Sequence, residues 1–224
     1  MRKHRLYKVF EPDSVALVGA SDRPLSVGGQ LLTKLVDSDF QGALYPVNPS
    51  HEHIHGLQCY DTISEIGQAV DLAVIAIPAA AIPAIMRECG ERGVGAVIII
   101  SAGFGEVGAR GQALQNDIVN IAHAYNIPLL GPNCLGVIRP RVGLNASFAK
   151  SKVTTGQLAM VAQSGAFCTS LLDWGDSRGF GFSAVASLGA SADVGFGDVL
   201  DFLALDPLTK SILLYIESVS DARA

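Results

Sequence analysis

The feature that most constrains the fold is a set of short, almost wholly apolar runs, each followed by a turn rich in small residues. These runs do not alternate between apolar and polar residues, so both faces of each predicted strand must be covered. Strands and helices that alternate in this way predict a parallel sheet with helices on both sides. The predicted strands span residues 15–18, 43–47, 72–77, 96–100 and 128–130, and the predicted helices span 28–36, 80–91 and 110–125.

The rest of the chain predicts a second α/β unit. Residues 131–156 are rich in Gly, Asn, Ser and Pro and have no sustained period, so we interpret them as a connection between domains. Strands at 158–162, 182–187 and 211–216 then alternate with helices at 166–178 and 197–205. The last strand lacks a following helix, so we expect this unit to be incomplete. The prediction is a Rossmann-like, doubly wound domain over residues 1–140 and a second, truncated α/β domain over 150–224.

Composition narrows the partners and the location. The 224 residues contain 16 Lys and Arg against 21 Asp and Glu, a net charge of −5, which gives no basic field for a nucleic acid. No run approaches the roughly 18 apolar residues of a membrane span, and the basic N-terminus lacks the apolar stretch of a signal peptide. The four cysteines have no CxxC spacing, which predicts buried, reduced thiols in the cytoplasm.

The first strand-to-helix turn is a candidate phosphate site. In a doubly wound sheet, ligands bind at the carboxyl ends of the strands, and a helix N-terminus offers free N–H groups. Gly19 permits a tight turn, Ser21 can donate a hydroxyl, and Gly28 opens the next helix. The GxGxxG spacing of dinucleotide enzymes is absent. A turn that needs glycine for its backbone alone remains the alternative.

Further strand ends converge on the same crevice. Asn48 and Pro49 follow the second strand, where a dinucleotide enzyme has Asp or Glu to hold the ribose. This difference favours a phosphorylated adenosine over NAD. Pro78 ends the third strand, and a glycine-rich loop over residues 101–111 follows the fourth.

A second predicted strand is also followed by a turn of small residues and a helix, as the first strand is. Ser164 and Gly165 stand between a predicted strand and a predicted helix, which indicates a second anion site. Ser164 has no local histidine, so a hydrolytic triad is not predicted. Glu217 ends the last predicted strand, and we expect a buried carboxylate with a partner there.

Three histidines form the only pattern that could bind a metal. His51, His53 and His55 occupy every second position, so in an extended segment they would share one side and could hold Zn or Ni. No cysteine or carboxylate cluster accompanies them, so a solvated loop is the favoured interpretation and no metal is predicted.

Several motifs in order carry a resemblance to a known family. They are VALVGAS, YPVNP, DLAVIAIPA, SAGFGEVG, LLGPNCLGV, GLNASF, AQSGAF and YIESVSDAR. Together they resemble the N-terminal part of NDP-forming acyl-CoA synthetases, relatives of the succinyl-CoA synthetase α subunit. The same region occurs in bacterial protein lysine acetyltransferases that carry a GNAT domain.

The resemblance implies a first domain that binds CoA or acetyl-CoA and a second, flavodoxin-like domain. The CoA residues it implies are Gly19, Ala20, Ser21, Val27, Gly28, Asn48, Pro49, Ile77, Pro78, Ser101, Ala102 and Gly103. Ser164 and Gly165 would bind phosphate, and Glu217 would orient a phosphohistidine that is expected some tens of residues further on. ATP or ADP and Mg²⁺ would bind in an ATP-grasp domain or β subunit. The implied substrate is a small carboxylate such as acetate, and the assembly an oligomer.

Two other functions stay open at this point. The chain could be the acyl-CoA-sensing region that regulates a fused GNAT acetyltransferase, towards which the ending SVSDARA points weakly. An NAD-binding Rossmann protein is disfavoured by Asn48. Whether the chain belongs to a synthetase or to a regulated acetyltransferase, we expect this chain alone to be inactive.

Overall fold

The computed structural model describes residues 4–219, and its first part is the doubly wound unit that the apolar runs predict. The elements of this part are α1 (Tyr7–Phe10), β1 (Ser14–Val18), α2 (Val27–Asp37), β2 (Ala43–Val47), β3 (His53–Ile54), β4 (Leu57–Gln58), β5 (Leu72–Ile75), α3 (Ile82–Glu91), β6 (Ala96–Ile99), α4 (Ala109–Ala124) and β7 (Leu129–Leu130). Five of the strands form a parallel sheet in the order β2-β1-β5-β6-β7, with helices on both faces.

The order of the strands locates the crevice of this first sheet. The chain moves from β1 outward to β2, then returns to pair β5 with the other side of β1. The direction of winding therefore changes between β1 and β5, where open α/β sheets bind ligands. Every residue of β1, β5 and β6 is buried, as expected for strands covered on both faces.

The second sheet is larger than the sequence pattern indicates. The elements of this second part are β8 (Gly136–Arg139), β9 (Leu144–Ser147), β10 (Thr155–Ala162), α5 (Gly165–Arg178), β11 (Phe182–Ser187), α6 (Phe196–Ala204) and β12 (Ser211–Tyr215). The sheet is mixed, with the order β12-β10-β11-β8-β9, and β8 and β9 run antiparallel to their neighbours.

The interpretation of residues 131–156 as a connection between domains is thus partly wrong. Residues 131–156 contain β8 and β9, two four-residue strands joined by a tight turn at Gly143. The strands are too short, and too broken by Gly, Pro and Asn, to give a period in the sequence. Residues 136–139, which the prediction assigns to the first domain, pair with β11 of the second sheet.

Backbone hydrogen bonds dock the two sheets. The segment that follows β11 runs along β7, the edge strand of the first sheet, and donates from Ala190, Ala192 and Val194 to the carbonyls of Pro132, Gly131 and Leu129 at 2.9–3.1 Å. The carboxylate of Asp193, only 6% exposed, accepts from the Leu129 N–H and also contacts Arg5 and His123. An edge that would otherwise expose unpaired polar groups is therefore covered.

A buried ion-pair network joins the sheets at their other end. The side chain of Arg139 on β8 is 2% exposed and contacts Glu11 at 3.0 Å and Asp206 at 2.8 Å. It also donates to the Ser183 carbonyl, and Arg141 contacts Glu11 as well. Glu11 follows α1 and Asp206 follows α6, so one guanidinium ties three separate parts of the chain together.

We expect Asp206→Asn to destabilise the protein by about 2 kcal/mol at pH 7, because the buried guanidinium loses one of its two countercharges. Burial acts to raise the pKa of Asp206, but hydrogen bonds from Arg139 and Thr209 and the charge of Arg139 outweigh it, so the pKa lies below its ordinary value. A depressed carboxyl stabilises the fold above its unfolded pKa of about 3.9. The difference in urea unfolding should therefore shrink below about pH 4.

The matched control is Asp201→Asn, since Asp201 lies exposed on α6. It should leave the free energy of unfolding within about 0.5 kcal/mol of the parent at either pH. A cost of Asp206→Asn that is the same at pH 7 and pH 3 would contradict the ion pair.

Candidate functional site

Glycine is required by packing at two positions of the first turn. Gly19 has φ +88°, and a Cβ there would lie 2.5 Å from the Ala76 carbonyl oxygen after β5. A Cβ at Gly28, in the first turn of α2, would lie 1.9 Å from the Gly19 oxygen. Helix α2 therefore sits directly on the turn. These contacts require glycine whether or not a ligand binds.

The same turn offers hydrogen-bond donors. Ser26 caps α2 by accepting from Gly29 at 3.0 Å, while the N–H groups of Val27 and Gly28 have no acceptor in the part of the chain described. The Ser21 oxygen accepts from the Arg23 N–H at 3.1 Å, which leaves its own hydrogen to donate. Arg23 is exposed and was not selected from the sequence. Two N–H groups, a hydroxyl and a guanidinium suit a phosphate.

Hydrogen bonds tie the neighbouring strand ends to this turn. The Asn48 amide donates to the Ala20 carbonyl at 2.7 Å, and its oxygen accepts from Ser50 at 2.9 Å. The Ser101 hydroxyl donates to the Ile77 carbonyl at 2.5 Å, so the loops after β5 and β6 are joined. The Asn48 side chain thus makes hydrogen bonds within the protein through both its nitrogen and its oxygen. The sequence did not indicate this structural role.

A cavity of about 970 Å³ lies between the two sheets and divides the predicted residues. Val27, Ser101 and Ala102 line it from the first sheet, and Ser164, Gly165 and Glu217 line it from the second. The remaining predicted CoA residues lie around the turns outside it: Gly19, Ala20, Ser21, Gly28, Asn48, Pro49, Ile77, Pro78 and Gly103. The predicted residues thus fall into two groups. One group, with the candidate phosphate donors, lies around the first turn, and the other lines the cavity together with residues of the second sheet.

The N-terminus of α5 points its free donors into this cavity. Ser164 caps the helix, its oxygen accepting from Phe167 at 3.2 Å, while the N–H groups of Gly165 and Ala166 have no acceptor among the described residues. Both residues line the cavity. The helix dipole adds a partial positive charge, so an anion is favoured there.

Glu217 lies at the cavity but not in the setting predicted for it. Among residues 4–219, strand β12 is the edge of its sheet and largely exposed, so in this range Glu217 does not end a buried strand, contrary to the expectation. Glu217 is exposed, and within residues 4–219 no ion pair reaches its carboxylate. Its backbone N–H donates to the side chain of Gln163, the residue before Ser164, at 2.7 Å.

Glu106 is a second carboxylate of the cavity that the sequence analysis did not select. It accepts from the N–H groups of Gly103 at 2.5 Å and Phe104 at 3.2 Å. Partial burial acts to raise the pKa of Glu106, but these hydrogen bonds outweigh it and lower the pKa below its ordinary value. Among the described residues that line the cavity there is no Lys, Arg or His, so a bound anion would rely on uncharged donors, the backbone N–H groups among them.

The histidines do not form a metal cluster. His53 lies in the short β3–β4 hairpin, and His55 occupies a left-handed position in its turn with φ 51°. Between residues 4 and 219, no three His, Cys, Asp or Glu side chains are grouped so that they could hold a metal ion. No helix in the same range is long and apolar enough to cross a membrane.

All four cysteines are free and buried, as the sequence predicts, so burial disfavours the reactive thiolate at neutral pH. Burial raises the pKa of Cys89, Cys134 and Cys168 to about 12 in each case. Cys134 lines the cavity, yet its thiol donates to the Ile99 carbonyl at 3.3 Å.

Two family models cover the two sheets. Residues 13–140 match the CoA binding domain, and residues 155–224 match the succinyl-CoA ligase like flavodoxin domain. The chain belongs to the family of NDP-forming acyl-CoA synthetases. The resemblance drawn from the motifs is confirmed, and so is the fold class of a Rossmann-like unit followed by a flavodoxin-like one.

Curated relatives in this synthetase family align with nearly the whole chain. The chain is 40% identical over 222 residues to an ADP-forming acetate–CoA ligase of Methanocaldococcus jannaschii and to the α subunit of acetate–CoA ligase (ADP-forming) I of Pyrococcus furiosus. The alignments cover 99% and 97% of this chain but 31% and 48% of those proteins. The chain therefore spans a third to a half of the length of these relatives.

A solved structure agrees with this membership. The dinucleotide forming acetyl-coenzyme A synthetase 1 of Ca. Korarchaeum cryptofilum, in complex with phosphate and ADP, superimposes with a TM-score of 0.94 at 36% identity. The match covers 97% of this chain and 47% of that one.

We expect Cys89, Cys134 and Cys168 to react with iodoacetamide at pH 8 at about a thousandth of the rate of a free thiol, because so little thiolate is present. Peptide mapping by mass spectrometry after timed labelling measures this. All four cysteines should label at once in denaturant. Fast native labelling of Cys134 would show that the cavity wall is open and its thiol reactive.

Proposed function

We propose that this chain supplies the CoA site and part of the phosphoryl-transfer site of an ADP-forming acyl-CoA synthetase that acts on a small carboxylate such as acetate. One observation carries the proposal: the loop after β6 and the N-terminus of α5 line the same cavity. A thiol arm and an anion can therefore meet there. The names of the relatives support the same chemistry.

Each part of the site receives a role in this proposal. The first turn, with the free N–H groups of Val27 and Gly28 and the Ser21 hydroxyl, binds the phosphates of CoA. The loop at Ser101 and Ala102 borders the thiol arm, which projects into the cavity. In this reaction the CoA thiol would attack the carbonyl carbon of an acyl phosphate, forming the thioester and releasing inorganic phosphate. In the reverse direction, phosphate would attack the thioester carbonyl and release CoA. The N–H groups of Gly165 and Ala166 hold the phosphoryl group, and Glu217 orients the histidine that accepts it.

The remaining partners lie outside this chain. An ATP-grasp domain or β subunit would bind ADP or ATP with Mg²⁺ and exchange the phosphoryl group with the histidine. The P. furiosus relative is named as an α subunit, which supports a separate partner. The free, buried thiols are compatible with a cytoplasmic location. If the full-length protein carries a GNAT domain and lacks the histidine, the same CoA site would serve regulation of an acetyltransferase instead.

We expect calorimetry to show binding of CoA or acetyl-CoA to this chain and no comparable binding of NAD. Val27→Asp should weaken CoA binding about tenfold, because a carboxylate at the N-terminus of α2 repels the phosphates. The helix itself should gain slightly from an acidic residue in its first turn, so the fold is kept.

Val36→Asp is the matched control, since Val36 is 41% exposed at the other end of α2 and Val27 is 42% exposed. Its CoA affinity should equal that of the parent. Tighter binding of NAD than of CoA, or equal CoA affinity in both variants, would refute the proposed CoA site.

We expect inorganic phosphate to shift the amide NMR signals of Gly165 and Ala166. Ala166→Asp should abolish the shift, because its carboxylate takes the free N–H groups at the start of α5. Ser170→Asp, an exposed position one turn further along the helix, serves as the control and should respond as the parent does. Phosphate shifts that persist in Ala166→Asp would locate the anion elsewhere.

A further inference from the structure

The side chain of Gln163 bridges the end of β10 and the turn after β12. Its Oε1 accepts from the backbone N–H groups of Glu217 at 2.7 Å and Ser218 at 2.9 Å. Its Nε2 donates to the Ser218 carbonyl at 3.1 Å. One side chain therefore makes three hydrogen bonds to two consecutive residues, one of which is Glu217.

The pattern of partners fixes the orientation of this amide. Two N–H donors can be met only by its oxygen, and the Ser218 carbonyl only by its nitrogen, so a flipped amide would lose all three hydrogen bonds. The Gln163 backbone is itself anchored, because its N–H donates to the Tyr215 carbonyl at 3.2 Å. The three hydrogen bonds of the Gln163 side chain, which we call the clamp, thus connect the end of β10, a strand inside the sheet, to the exposed turn after β12.

The turn has few other restraints. Strand β12 is an edge strand, and Ile216 and Val219 are 48% and 59% exposed. In the part of the chain that the structure describes, the Glu217 and Ser218 N–H groups bond to Gln163 and to no other acceptor. Without Gln163, these backbone groups would bond to water and the turn would be free to move.

We propose that Gln163 is a positioning residue, which holds the backbone of Glu217 so that its carboxylate stays at the cavity beside the N-terminus of α5. The inference rests on the proposed role of Glu217 towards a phosphorylated histidine. Ser164 and Gly165 directly follow Gln163, so one short segment sets both the anion donors and the carboxylate. A displacement of about 1 Å at such a site can cost up to a hundredfold in rate.

Gln163→Met removes the three hydrogen bonds and keeps the length of the side chain. Gln157→Met is the matched control, because Gln157 lies exposed on β10, the strand that ends directly before Gln163. In this chain, hydrogen exchange of the Glu217 and Ser218 amides should speed up at least about tenfold in Gln163→Met and stay unchanged in Gln157→Met. Unchanged protection in Gln163→Met would overturn the clamp.

The functional test uses the full-length protein with its ATP-binding subunit or domain. Gln163→Met should lower kcat about tenfold to a hundredfold, leave the KM for CoA unchanged and shift the pH profile of phosphoryl transfer in the direction seen for Glu217→Gln. A matching rise in the KM for CoA would indicate a general structural effect and overturn the proposal.

The variant Glu217→Gln distinguishes a failure of the positioning role of Gln163 from a failure of the proposed role of Glu217. If it is impaired while Gln163→Met has the parent's kcat and pH profile, the positioning role is wrong and the proposed function stands. If Glu217→Gln is itself unimpaired, the role of Glu217 in the proposed function is wrong, and the inference about Gln163 falls with it.

Discussion

The hydrogen bonds from residues 190–194 to the edge strand β7 and the two residues that follow it are the contact on which the rest of the structure depends. They fix the second sheet so that the carboxyl ends of its parallel strands face the same cavity as those of the first. The Arg139 network restrains the sheets at their other end. A shift of either sheet would separate the loop after β6 from the N-terminus of α5.

Electrostatics in the cavity comes from the backbone rather than from cationic side chains. The charged side chains that line it are the carboxylates of Glu106 and Glu217, while the donors left without an acceptor at the start of α5 are peptide N–H groups. Such donors are fixed by the fold and cannot swing away or lose a proton. The two carboxylates disfavour an anion elsewhere in the cavity, away from those N–H groups.

The sequence predicted what local pattern determines and missed what distant contacts determine. Buried strands give apolar runs, so all five strands of the first sheet were found, as were β10, β11 and β12. Strands β8 and β9 were missed because four residues between Gly, Pro and Asn carry no period. The exposure of Glu217 depends on β12 being an edge strand, and its contact with Gln163 joins residues 54 positions apart. Neither fact is present in local sequence.

One apolar core runs through both sheets. Leu31 and Leu35 of α2 belong to the same buried cluster as Leu144 and Ala146 of β9 and Val161 of β10. A chain cut near residue 140 would leave the apolar face of α2 uncovered and β8 without its neighbours. The two units that the sequence pattern distinguishes therefore share part of their core and are not independent in folding.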